Sequence, residues 1–451
     1  MRYMRFFILA LTALMSVTGA VDAGAQEKMR GVWVSSVYNL DYPKKPTTDA
    51  AELRVMAEEC VNKCKELGFN AVFLQVRPMS DALYKSEIFP TSAYLTGKQG
   101  INAANGFDTL NCWTELCHER GMELHAWINP YRAAAANTEM SADNPAVLYP
   151  ELTVKYEDKL YYDPGEPRVR ELIVSGAREI AQNYNVDGIH FDDYFYPSAD
   201  FNDAASFKKY GNGKSKAEWR RENTEALIRE TAKAVHEIKP DLEFGVSPCG
   251  IWANRDDMPN GSDTQGAGAY TDMFADTLKW AKEGLVDYIA PQIYWYGGYE
   301  QADYDVLVRW WCDALKGSDT ELYIGLGDYR VDTYGADSAS PWYKGNEILR
   351  QMRANAENGR VDGEIHFRYG SIAASADLQE KIKGFYGGKE TKIAPDTVCL
   401  YIYSDKNGRP MYVYKGKGEF DEGICEEKRP NGAAALRWVS VGGEQMRRNF
   451  K

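Results

Sequence analysis

Positive charge is in short supply in this sequence. The 451 residues carry 53 Lys and Arg against 66 Asp and Glu, a net charge of -13. Nucleic acids and anionic bilayers are held by basic surfaces, so neither is an expected partner. Long apolar runs are equally scarce. After the first residues no segment offers the roughly 20 apolar positions that a spanning helix needs, so no membrane span is expected in the mature chain. Cysteine is sparse and badly spaced for chemistry. Of the eight, Cys60 and Cys64 lie four apart and Cys112 and Cys117 five apart, and neither pair has CxxC spacing. Pairs inside one helix are poorly placed for a disulfide, and buried free thiols are the expectation. There are only five histidines, with no HxH or HExxH motif, so neither a metal nor a cofactor is expected. Internal repeats and low-complexity segments are also missing.

What is present is the composition of a globular protein with a large core, 44% hydrophobic and 26% charged. Aromatics are plentiful, with 30 Tyr and 11 Trp. Residues 1–25 read as a secretory signal peptide: Arg2 and Arg5 form its basic region, Phe6 to Met15 its apolar one, and Ala23-Gly24-Ala25 its small-residue cleavage site. The alternative is a signal anchor. No cysteine stands near the cut, which argues against a lipid anchor. The mature protein is therefore expected to be exported, periplasmic or extracellular.

From Met29 onward, short apolar runs alternate with helical periodicity. The runs are RGVWVSS, NAVFLQV, MELHAWIN, VDGIHFDD, LEFGVSP, DYIAPQIYW, ELYIGLG and GEIHFRY. Amphipathic stretches such as 49–67, 107–120, 167–184, 216–238 and 271–283 separate them. Strand then helix, repeated eight times, predicts an α/β fold, a (β/α)8 TIM barrel over residues 29–386, with a doubly wound open sheet as the alternative. Helix-to-strand links are tight and strand-to-helix links are long, notably 78–106, 130–165, 195–215, 250–270 and 328–344. In a barrel all the long links fall at the C-terminal face, where a cleft can be built. Past Gly387-Gly388 the pattern changes, and 390–451 reads as a small C-terminal β-rich module with a hairpin and one further strand.

Side chains alternate along a strand, so His190 and Asp192 share a face in Gly188-Ile189-His190-Phe191-Asp192. Ile189 and Phe191 suit the helix layer, which sends His190 and Asp192 into the barrel with Asp192 at the mouth. Asp192 and the adjacent Asp193 are the catalytic candidates. Polar and aromatic groups at other strand ends aim at the same place: Arg77 and Asp81 after the second strand, and His125, Trp127, Asn129, Tyr131 and Arg132 at the third. Tyr194, Trp252, Gln292, Tyr294, Trp295 and Arg368 complete the set expected to grip substrate. Rings with polar edges suit sugar faces, and amides, carboxylates and guanidinium groups suit hydroxyls. His125, His190 and His366 are expected to form a shared hydrogen-bonded layer holding the carboxylates, with a metal site as the other reading.

Six ordered segments carry a resemblance. RGVWVSSVYN (30–39), FNAVFLQVRPMSDALY (69–84), HAWINPYR (125–132), YYDPGEPRVR (161–170), VDGIHFDDYFYP (186–197) and APQIYW (290–295) resemble the glycosyl-hydrolase-like 10 family, long catalogued as domain of unknown function 187. The resemblance covers the barrel and implies an enzyme that hydrolyses glycosidic bonds in envelope polysaccharides. Peptide-free peptidoglycan strands are associated with that family. A looser similarity ties Asp187 to Asp192 to the fourth strand of family 18 chitinases. His190 and Tyr194 here replace an inner Asp and the catalytic Glu of that pattern.

Glycoside hydrolysis usually needs two carboxyl groups, or one together with the substrate's acetamido group. Asp192 is the first. Asp193, Asp81, Asp163 and Asp328 are all candidates for the second. Two other functions fit the same features, a non-catalytic carbohydrate-binding protein and a metal-dependent hydrolase or deacetylase.

Overall fold

The computed structural model describes residues 27–192, 195–388, 398–417, 422–440 and 445–450. The leader read at 1–25, Asp193 and Tyr194 lie outside the described residues. Eight parallel strands close a barrel: β1 (Met29–Val34), β2 (Ala71–Arg77), β3 (Glu123–Ile128), β4 (Gly188–Asp192), β5 (Glu243–Ser247), β6 (Tyr288–Ile289), β7 (Glu321–Leu326) and β8 (Gly363–His366). Their order round the ring is β1-β8-β7-β6-β5-β4-β3-β2. The ring shuts where Met29 pairs with Gly363 and Val32 with His366. Each of the eight apolar runs supplies one strand, and an open sheet is excluded.

Strand alternation divides the interior in two. Val32, Val34, Val72, Leu74, Ile189, Phe191, Phe244 and Val246 face outward into the core shared with the helices. Trp33, Phe73, Trp127, Tyr288, Tyr323 and Ile365 pack the lumen. Rings this large fit only because β4 and β5 carry glycine beside them. A Cβ on Gly188 would lie 2.1 Å from His125 Nδ1, and one on Gly245 would lie 2.1 Å from the Tyr288 ring. Gly245→Ala is expected to destabilise the barrel by about 1–3 kcal/mol through overpacking, read as a lowered thermal midpoint.

The helices follow equally local rules. Ala50–Leu67 starts at Asp49, whose carboxylate accepts from the backbone N–H of Ala51 and Glu52, and stops at Gly68 with φ 94°. It buries Leu53, Ala57, Cys60, Val61, Cys64 and Leu67. None of the eight cysteines forms a disulfide, and all except the half-buried Cys249 are buried. The helix expected over 271–283 is limited to Thr277–Lys282. Phe274 takes a φ of 52° and its carbonyl accepts from the Thr224 hydroxyl, so the helix begins only after Asp276.

The long strand-to-helix links cover the C-terminal face. One of them, 130–165, folds into a small antiparallel sheet of Arg132–Ala134, Lys159–Tyr162 and Thr153–Tyr156, with Lys159–Tyr162 in the middle. The tail forms a four-stranded antiparallel sheet: β9 (Val398–Ser404), β10 (Pro410–Lys417), β11 (Ala435–Ser440) and β12 (Gln445–Asn449), in the order β10-β9-β11-β12. The charged β12 has no apolar alternation and escapes a sequence reading. Leu400, Ile402 and Val439 of this sheet pack on Tyr296 in the link after β6. Arg437 of β11 reaches Asp303 and Asp305 at the start of the next helix. Among the described residues no helix is long and apolar enough to cross a membrane.

Candidate active site

A cleft of about 390 Å³ opens over the C-terminal ends of the strands, and every strand or the link after it contributes to its lining. Asp192 ends β4 on its floor and is 8% exposed. Asn129 Nδ2 donates to Asp192 Oδ2 at 2.7 Å, and Gln292 Nε2 donates to Oδ1 at 2.9 Å. Ser247 Oγ lies 3.5 Å from the same Oδ1.

The orientation of these amides is fixed from the backbone upward. Gln75 Oε1 accepts from the N–H groups of Ser36 and Val37, each at 2.9 Å, and from Ser35 Oγ at 3.0 Å. Its NH2 must then point the other way, and it donates to Asn129 Oδ1 at 2.6 Å. That contact leaves the Asn129 NH2 for Asp192. A one-way chain thus runs from the backbone just past β1 through two amides to the carboxylate. Gln75→Leu keeps the volume and removes the chain. It is expected to lower kcat roughly 10- to 100-fold with a smaller change in KM, because Asn129 and Asp192 lose their fixed bearing. Steady-state kinetics beside a circular dichroism melt will separate this effect from unfolding.

Below the floor lies a ring network. Trp33 Nε1 can only donate, so His190 Nε2, 3.2 Å away, must accept. The proton of His190 then sits on Nδ1 and is donated to Tyr288 OH at 3.1 Å. The Tyr288 hydroxyl is in turn 3.1 Å from His125 Nδ1. Burial, with help from His125, pushes the His190 imidazole well below its ordinary range, which agrees with a neutral ring. His190 Nε2 also lies 2.9 Å from Ser247 Oγ, linking the network to the floor.

The structure gathers seven of the expected site residues round this cleft. Asp192, Trp127, Arg132, Gln292, Tyr294 and Trp295 line it, and Asn129 holds Asp192 from behind. Others lie elsewhere. Arg77 is 1% exposed and sits over the Phe89 ring at 4.6 Å, because an irregularity between Gln75 and Arg77 turns it out of the lumen. Asp81 is buried under Gln99, and burial pushes its carboxyl up to about 6. Tyr131 is buried edge-on to Phe195, and Trp252 stacks on Trp310 while donating to Asp276. His125 and His190 are lumen residues beneath the cleft. Arg368 pairs with Asp41 and donates to the Leu40 carbonyl, bracing the β8 and β1 links instead of facing the cleft.

The shared histidine layer also needs correcting. In β8 it is Ile365 and Phe367 that face inward, while His366 points outward to Asp328 at 3.0 Å and Tyr386 at 3.0 Å. Asp328 is thereby engaged outside the lumen, and Asp163 is held against the backbone N–H of Gly165. Among the described residues no three His, Cys, Asp or Glu side chains are grouped to hold a metal ion. Asp192 is the one carboxylate among the described residues that lines the cleft.

Trp33, Gln75, Tyr329, Arg330 and Phe367 also line the cleft. The alternation that marks Asp192 also marks Trp33 and Gln75. Arg330, whose Nε donates to the Tyr294 carbonyl at 3.1 Å, stands on a short helix after β7 and has no such signal. Two guanidinium groups, Arg132 and Arg330, therefore flank a floor with a single described acid. The rings of Tyr294 and Phe367 stack at 5.7 Å.

The chain is similar to known glycosyl hydrolases. Residues 28–344 match the family described as Glycosyl hydrolase-like 10. The glycosyl hydrolase YngK of Bacillus subtilis is 38% identical over 366 residues, covering 79% of this chain and 71% of that protein. The glycosyl hydrolase DigH of Escherichia coli K12 is 40% identical over 381 residues, covering 77% of this chain and 84% of that one. Among solved structures, an endo-β-1,4-mannanase from Thermotoga petrophila superposes with a TM-score of 0.54 at 10% identity, covering 94% of this chain and 97% of that one. The last likeness is one of fold.

Proposed function

Since the chain belongs to the Glycosyl hydrolase-like 10 family and is a glycosidase, we propose that it cuts a polysaccharide of the cell envelope after export, with peptide-free peptidoglycan strands as the substrate. The observation that carries this reading is Asp192, presented at the bottom of a ring-lined cleft by donors on both of its oxygens.

The chemistry follows from that setting. Cleavage of a glycosidic bond builds positive charge on the anomeric carbon. A carboxylate held as an acceptor by Asn129 and Gln292 has its lone pairs aimed and its position fixed, so it stabilises that charge without rearranging. The leaving oxygen must also take up a proton. Asp193, next in the chain, is the candidate donor when Asp192 stabilises the charge. Where an acetamido group on the sugar stabilises it instead, Asp192 itself carries and donates that proton. Tyr294 and Trp295 offer ring faces for the sugar, the edges of Trp33 and Trp127 close the floor beneath it, and Arg132 and Arg330 offer donors for its oxygens.

The test is incubation of the purified protein with peptide-free peptidoglycan strands beside plant and host glycans, with products read by mass spectrometry. Shorter saccharides from the peptidoglycan strands are the expected result. Tight binding without release from any glycan would return the protein to a carbohydrate-binding role.

A further inference from the structure

Beside the Asp192 cleft lies a second pocket of about 430 Å³. Each of the two has the volume of an ordinary small-molecule site, roughly 300–1,000 Å³. Arg132 lines both, and the consecutive Val37 and Tyr38 line one each. The two hollows are therefore neighbours across a single guanidinium on the same face of the barrel.

The second pocket is built by the sheet folded from 130–165. Tyr161 pairs in register with Arg132, so ring and guanidinium are set side by side by the backbone. The rings of Tyr156 and Tyr161 lean on Phe201, with centroids 6.1 and 6.3 Å away, which keeps them from collapsing into the hollow. From the opposite side comes Tyr38, 60% exposed yet held with φ 54°, a left-handed conformation that bulky residues rarely take. Its ring is steadied edge-on by Tyr94 at 5.8 Å. A large exposed ring kept in an unfavourable backbone state needs a reason, and such strain gathers at binding surfaces. Lys159 adds a second cation to the lining.

We propose that this pocket is an outer subsite for the same glycan, holding the sugar units that continue past the one at Asp192, with Tyr38 and Tyr161 as ring platforms and Arg132 as the hinge between the two sites. The inference rests on the glycosidase reading and deepens it. The enzyme recognises a chain of several sugars and prefers long strands to their shortest fragments.

The experiment compares kcat/KM on peptide-free peptidoglycan oligosaccharides of two to eight sugars for the parent, Tyr38→Ala and Tyr161→Ala. Tyr38 is mostly exposed, so its truncation leaves the core in place. The parent's kcat/KM is expected to rise with length. The ratio of long-oligomer to short-oligomer kcat/KM should fall about fivefold in each variant, the scale of one lost ring contact. A parent indifferent to length, or variants that keep the parent's ratio, would overturn the outer subsite. If no oligomer is cleaved, titration calorimetry of the same set decides separately. Length-dependent binding weakened by Tyr38→Ala supports the subsite while the proposed reaction fails, and absence of binding overturns both.

Discussion

Asp192→Asn should leave a folded protein that still binds glycan and has lost at least about a thousandfold in turnover. The substitution keeps the shape of the side chain and the strand that carries it. It replaces one oxygen acceptor by a donating NH2, which then faces either Asn129 Nδ2 or Gln292 Nε2, both of them donors. The site loses its negative charge and gains a donor-to-donor clash in one step. Proton transfer by a positioned side chain contributes about 10²–10⁴ in enzymes generally, and a preorganised charge-stabilising group about 10²–10³, so the combined loss is large. Product release by mass spectrometry gives the turnover, and titration calorimetry on peptide-free peptidoglycan strands gives the affinity. Unchanged turnover would remove Asp192 from the chemistry. A melting midpoint lowered by the scale of one unsatisfied buried group, about 1–3 kcal/mol, with folding retained, is part of the expectation.

The second large effect concerns stability. Arg437→Met in the C-terminal sheet is expected to cost about 3–5 kcal/mol, the scale of breaking a buried ion pair from one side. Arg437 reaches both Asp303 and Asp305, and Arg350 reaches Asp305 at 3.0 Å and Glu347 at 2.7 Å. Methionine fills the space and leaves two carboxylates facing it with one cation fewer. Burial acts to raise the Asp305 carboxyl, but Arg350 and Arg437 outweigh it and hold the group below its usual range. The sign follows from linkage. A depressed carboxyl contributes stability that is complete above its unfolded value, near pH 4, and is lost as the pH falls toward the depressed one. The gap between parent and variant should therefore be widest near neutrality and narrow on acidification. Thermal melts across that range will check it, and an equal gap at every pH would contradict it.

The architecture was legible in the chain because strand and helix periods alternate without interruption and the eight apolar runs map one to one onto the barrel strands. Asp192 was legible for the same reason: in Gly188 to Asp192 the outward positions are unmistakably Ile189 and Phe191. In GEIHFRY the two faces are equally clear, yet their direction is not. His366 looks like a site residue, but the outer layer supplies Asp328 and Tyr386 for it, and the lumen takes Ile365 and Phe367. Alternation tells which side chains share a face and is silent on which face is wet. Arg77 was misread because one irregular pairing beyond Gln75 shifts the phase of everything after it. Arg330 and Tyr329 enter from a short helix whose direction depends on the whole link being in place. Aromatic abundance was informative only in part. Trp33 and Trp295 do line the cleft, while Tyr84, Tyr162, Tyr196 and Trp342 are buried in packing.

The tail sheet changes how the cleft meets its substrate. Tyr294 and Trp295 sit on the link after β6, a stretch that in isolation would sample many conformations. Here the Trp295 carbonyl accepts from Gln351, the Gly297 N–H donates to Glu347, and Tyr296 is pinned beneath Leu400, Ile402 and Val439. Immobilising a residue costs about 1–2 kcal/mol of backbone entropy. That cost is met once, when the chain folds, and is not levied again on each encounter with a sugar. The rim of the cleft is thus preorganised by a barrel helix on one side and the tail sheet on the other, and an appendix that supplies none of the cleft's lining becomes a source of affinity.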